Sequence, residues 1–92
     1  MHSAIFVATV PPNEMQWKTF LGLVELKIGT AKNVELLGEG VWLVNVRESF
    51  SPLGYLVSIA ANQSIVCRIL ALPLAPEWLP GASYPKTTPG QS

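Results

Sequence analysis

Prolines divide this chain more sharply than any other residue type. Five of its eight lie beyond position 72, at Pro73, Pro76, Pro80, Pro85 and Pro89. A proline fixes φ and has no backbone donor, so that stretch can be neither a regular helix nor a central strand. Regular structure must therefore fit into residues 1–72, where only Pro11-Pro12 and Pro52 interrupt. The chain reads as one domain over residues 1–72 and a proline-rich arm over residues 73–92. The last part of the arm, residues 86–92, has the composition of a disordered tail.

Within the domain the apolar pattern switches between two periods. Residues 3–10 read as a strand, with Ala4, Phe6, Ala8 and Val10 on one side and Ser3, Ile5, Val7 and Thr9 on the other. Both sides are largely apolar, which places this strand centrally in its sheet. Asn13, with Gln16 three residues on, has the spacing of a capping box. Trp17, Phe20, Leu21, Val24 and Ile28 then recur at helical spacing, and Gly29 is a natural stop. Gly22 inside this helix costs roughly 1 kcal/mol against alanine, which a close approach to the sheet would explain.

Residues 34–37 predict a short second strand, and Gly38-Glu39-Gly40 a hairpin connection with glycine supplying positive φ. Residues 41–46 predict the third strand, apolar on both faces. Ser51-Pro52 reads as an N-cap followed by proline in the first turn. The helix it opens runs to about Ala61, burying Leu53, Leu56, Val57 and Ala60, with Asn62 as a left-handed cap. Residues 65–72 predict a fourth strand, with Ile65, Cys67 and Ile69 on one face and Val66, Arg68 and Leu70 on the other.

The order β-α-β-β-α-β is the split βαβ, ferredoxin-like pattern: an α+β fold with a four-stranded antiparallel sheet and two helices on one face. The first and third strands are central in that arrangement, in agreement with their doubly apolar character. The other sheet face must meet water, a ligand or another protomer.

Composition bears on that choice. The chain is 49% hydrophobic and only 13% charged, against a usual charged share of about 25%. A domain this short is marginal on its own core, so burial against a partner is expected. The formal net charge is zero, and Lys18, Lys27, Lys32, Arg47, Arg68 and Lys86 are scattered. Nucleic-acid binding is therefore not indicated by charge. The single Cys67 excludes an intramolecular disulfide and reads as a small core residue. No leader pattern or membrane span is apparent, and a soluble cytoplasmic protein is the expectation.

The hairpin and strand "GEGVWLVNV" leading into "SFSPLGYLVSIAANQSIVCRILAL" resemble the small ferredoxin-fold proteins around the CRISPR-associated adaptation nuclease and related antitoxin ribonucleases. The matching strand, of the "TWLV" type in that group, is Val41, Trp42, Leu43 and Val44 here. The resemblance covers residues 1–72 and implies dimerisation. The nuclease members place a metal-binding aspartate at the end of the first strand. This chain has no aspartate, and the corresponding Ala8-Thr9-Val10-Pro11-Pro12 offers Mg²⁺ no hard anionic ligand. Nuclease activity is not carried over.

Other chemistries find little support. His2, the only histidine, is terminal, so a Ser-His-acid triad would depend on it. No Cys/His cluster has zinc spacing. Gly38-Glu39-Gly40 lacks the lysine and spacing of a phosphate loop. Stacking of RNA bases would use Phe6 and Trp42 on the first and third strands, but the basic signature of that fold is missing. No catalytic residue, metal or cofactor is expected.

The leading expectation is a non-enzymatic protein-association module acting as a homodimer, through the open sheet face or a sheet edge, with the arm contributing. Phe6, Trp42, Val44, Arg68, Trp78, Leu79 and Tyr84 are its interface candidates. An unidentified protein partner also fits, and the resemblance implies an accessory, antitoxin-like or mobile-element role. Two other classes stay open. One is a divergent nucleic-acid-binding or ribonuclease-related protein with a relocated Glu39–Glu48 carboxylate pair. The other is a small-ligand-binding dimer with its pocket at the seam.

Overall fold

A computed structural model describes residues 1–77. Its elements are β1 (Ser3–Ala8), α1 (Glu14–Ile28), β2 (Val34–Gly38), β3 (Val41–Asn45), α2 (Ser51–Asn62) and β4 (Cys67–Leu72). The sheet is antiparallel in the order β2-β3-β1-β4, the ferredoxin-like layout, with β1 and β3 central as their composition requires. The expected disorder of residues 86–92 and the positions of Trp78, Leu79 and Tyr84 lie outside the described residues.

The helices lie over the face that carries Ala4, Phe6, Ala8, Trp42 and Val44. These residues form one core with Trp17, Phe20, Val24 and Ile28 of α1 and Leu53, Leu56, Ile59 and Ala60 of α2. Aromatic rings occupy its centre. Trp17 stacks on Phe20 at 5.3 Å between centroids, Phe20 meets Trp42 edge-on at 6.0 Å, and Trp42 is tilted against Phe6 at 5.9 Å. Ala4 and Ala8 flank Phe6 on its strand, and their small side chains leave room for the rings above the sheet.

The caps of α1 are half as expected. Asn13 Oδ1 accepts from the Gln16 backbone N–H at 3.1 Å, but the Gln16 side chain does not close the capping box. Its Nε2 instead donates to the Gln63 carbonyl at 2.6 Å and lies 3.4 Å from that of Ser64. The start of α1 is thereby tied to the end of α2. Gly29 ends α1 in a right-handed conformation. Gly22 marks no close approach, since a Cβ there would meet nothing within 4 Å.

The boundaries of α2 differ from the sequence reading. Phe50 is the N-cap, with no side-chain capping bond, and Ser51 is already helical. Ser49 Oγ accepts the Ser51 N–H at 3.3 Å in its place. The buried face uses Ile59 where Val57 was expected, because residues 52, 53, 56, 59 and 60 share the arc that meets the sheet. The left-handed residue after the helix is Ser64, at φ 57°, rather than Asn62.

In the β2–β3 hairpin, Gly40 carries the positive φ, at 77°. A Cβ on it would sit 2.8 Å from the Ala8 carbonyl oxygen and 3.2 Å from Trp17 Cη2, so glycine is required there on two counts.

Candidate association surface

Alternation along the strands fixes what the uncovered face presents. Phe6 pairs with Trp42 and Ile69, and these point to the helices. The neighbouring registers point away from them. Val7 lies between Val41 and Arg68; Ile5 lies between Leu43 and Leu70, with Glu35 beyond Leu43; Ser3 lies between Asn45 and Leu72. The open face therefore carries Ile5, Val7, Val41, Leu43, Leu70 and Leu72 as one apolar field. Leu70 is 58% exposed, and neither helix covers the field.

Among the strand residues of this face, charge lies only at its two borders. Arg68 stands on β4, at one edge of the sheet, and Glu35 on β2, at the other. Both side chains are exposed. This placement gives Arg68 the route to solvent that a charge in an apolar strand needs.

Three interface candidates from the sequence are corrected. Phe6 and Val44 are completely buried and Trp42 is 6% exposed, all beneath the helices. Their burial is achieved within one chain, so they support the fold and offer nothing to a partner. Their place on the surface is taken by Ile5, Val7, Val41, Leu43 and Leu70. The same burial removes Phe6 and Trp42 as platforms for stacked bases. Arg68, in contrast, lies on the open face. The signal that could have separated the two sides was the alternation of alanine with Phe6 in β1.

The Glu39–Glu48 pair is also corrected. Glu39 lies in the hairpin before β3, where its Oε2 accepts from Trp17 Nε1 at 3.1 Å. Glu48 follows the far end of β3 and lines a groove with His2, Lys32, Asn33, Glu35 and Asn45. The strand separates the two carboxylates, and among the described residues no group of acids, cysteines and histidines is placed to hold a metal.

That groove, of about 470 Å³, lies at the end of the open face where the amino terminus and Pro76 meet β2 and β3. His2 Nδ1 and Ser3 Oγ are 2.8 Å apart beside it, and Ser3 is 1% exposed. A hydroxyl so buried is satisfied by its neighbour and is out of reach as a nucleophile. The groove mixes Lys32 with Glu35 and Glu48, which selects neither an anion nor a cation. Cys67 is half-buried and packs against the core. No helix among the described residues is long and apolar enough to cross a membrane.

Compared with known proteins, the chain matches no family model, and no curated protein or solved structure is significantly similar to it.

Proposed function

We propose that the protein is a non-enzymatic association module that acts as a homodimer through its open sheet face. The observation that carries this reading is the apolar field of Ile5, Val7, Val41, Leu43 and Leu70, left uncovered by the helices and bordered by Arg68 on one edge and Glu35 on the other. Two such faces stack about 10 Å apart, as in a sandwich. A two-fold axis lying along the strands carries β4 of one copy over β2 of the other. Each Arg68 then stands near Glu35 of the partner subunit, while the apolar rows meet in the middle. A face of this kind is self-complementary in both charge and hydropathy. An accessory, antitoxin-like or mobile-element role is the setting that the family resemblance motivates.

Sedimentation equilibrium of the full chain at micromolar concentrations tests the reading. The wild type is expected to be dimeric or larger, and Leu43→Glu, which sets a carboxylate in the middle of the field, to lose that contact with its far-UV circular dichroism unchanged. A monomeric wild type, or a Leu43→Glu variant that associates as before, overturns it.

A further inference from the structure

The two edges of the sheet are not equivalent. On β2 the Asn33 carbonyl accepts from the Asn45 N–H at 2.8 Å. By the antiparallel alternation Val34 and Leu36 then turn their backbone groups outward. That edge is short, is broken by a register shift between Leu36 and Gly38, and carries Glu35. Such features guard an edge against further pairing.

Among the described residues the β4 edge has no such guard. The Val66 carbonyl accepts from the Thr9 N–H, and the Leu72 carbonyl from the His2 N–H, both at 2.8 Å. Arg68, Leu70 and Leu72 therefore bond inward to β1, and Cys67, Ile69 and Ala71 direct their N–H and C=O groups out of the sheet. The strand pairs in unbroken register along its length and holds neither proline nor bulge. Ile69 is 46% exposed, and Arg68 is the only charge on the strand.

We propose that β4 is a second self-association surface, on which β4 of another copy pairs antiparallel about Ile69 and extends the four-stranded sheet to eight strands. The register follows from the strand itself. Centring on Ile69 sets Cys67 opposite Ala71 and uses all three outward residues of each copy. A shift either way loses pairs, because Pro73 closes one end and the strand begins at Cys67. On the open face, Arg68 then stands opposite Leu70 of the second copy, so the two guanidinium groups are diagonal and not directly opposed. Leu70 of each copy carries the apolar field across the seam. A second copy of β4 thus satisfies the backbone, the side-chain register and the face at once. The backbone pairing runs through Cys67, Ile69 and Ala71, none of which belongs to the apolar field of the sheet-face contact, so it does not depend on that contact.

The lone cysteine makes the register testable. Ala71→Cys sets a thiol opposite the native Cys67 of the second copy, and directly opposed hydrogen-bonded residues have Cα atoms about 5.5 Å apart, within disulfide reach. Mild oxidation of Ala71→Cys is expected to give a disulfide-linked dimer, with the bond mapped by peptide analysis between Cys67 of one copy and the introduced thiol at position 71 of the other. The wild type, and Cys67→Ser combined with Ala71→Cys, are expected to give none, since like positions in this pairing lie about 14 Å apart along the strand. Ile69→Pro removes an outward N–H without touching the β1 ladder, and Ile69→Lys adds a guarding charge; either change in the Ala71→Cys background should abolish the cross-link while circular dichroism stays native. Repeating the oxidation with Leu43→Glu separates the surfaces: the edge cross-link survives there even if the face contact is lost. Absence of the disulfide in Ala71→Cys, or its persistence in both folded Ile69 variants, overturns the proposal.

Discussion

The indole N–H of Trp17 donates to the Glu39 carboxylate across 3.1 Å, joining the first turn of α1 to the β2–β3 hairpin. Trp17 is buried in the aromatic core, so this bond sets where the hairpin sits relative to the helices as well as closing it. Trp17→Phe keeps part of the stacked surface on Phe20 but loses both the donor and some core volume, so its own loss includes a packing cost. The hydrogen bond itself is expected to contribute about 1 kcal/mol, the net worth of a typical hydrogen bond. Urea denaturation of Trp17→Phe, Glu39→Ala and the double variant measures it as their coupling energy. Coupling should appear between the two single changes, and additive losses would show that the bond contributes nothing.

Two glycines should respond with opposite sign to the same substitution. Gly40→Ala places a methyl group against the Ala8 carbonyl and Trp17 at a positive φ, and is expected to cost more than about 1 kcal/mol. Gly22→Ala adds a methyl to an exposed helix position with open space around it, and is expected to gain roughly 0.5–1 kcal/mol. Thermal unfolding of the two variants beside the wild type is sufficient. A stabilised Gly40→Ala would contradict the hairpin geometry.

Gln16 links the two helices through the Gln63 carbonyl, a contact 47 positions apart in sequence. Gln16→Ala is expected to lose about 1 kcal/mol and to speed amide exchange in the turn after α2. Asn13→Ala, which removes only the cap of α1, should cost a similar amount, typically ~1 kcal/mol, without that change after α2. Hydrogen-exchange measurements distinguish the two; equal protection at residues 63–65 in both variants would remove the linking role.

Element order and the central position of β1 and β3 were legible because apolar period and punctuation agree: Pro11-Pro12, Gly29, the glycine hairpin and Pro52 each fall at a boundary. Which face of the sheet the helices cover was not. Ile5 and Val7 are as apolar as Ala4 and Phe6, so hydropathy alone gives no preference. Volume decides it, since only the side with alanines beside Phe6 admits Trp17, Phe20 and Trp42 together. For that reason the sequence left Trp42 as either a core or an interface anchor and Phe6 as an interface candidate, while the field that the helices leave open is aliphatic. The cap of α2 was misplaced for a local reason: Ser49 and Ser51 both precede the helix core, and the hydroxyl that bonds the backbone belongs to the first.

The borders of the open face supply the most direct test of how two copies would meet. Arg68 and Glu35 lie on opposite edge strands of one chain, too far across the sheet to neutralise each other, yet a two-fold axis along the strands brings each toward its opposite in the partner. Reversing one charge, as in Arg68→Glu, creates two repulsive contacts per dimer and is expected to weaken association about tenfold, the equivalent of about 1.4 kcal/mol. Glu35→Arg should act in the same direction. The combined reversal, Arg68→Glu with Glu35→Arg, restores opposite charges at both borders and should recover most of the affinity. The recovery should shrink as salt is raised, because exposed pairs are screened. Equilibrium sedimentation of the four proteins at low and high salt measures this cycle. Single variants that bind as tightly as the wild type, or a double variant no better than the singles, would show that the two faces do not meet about this axis.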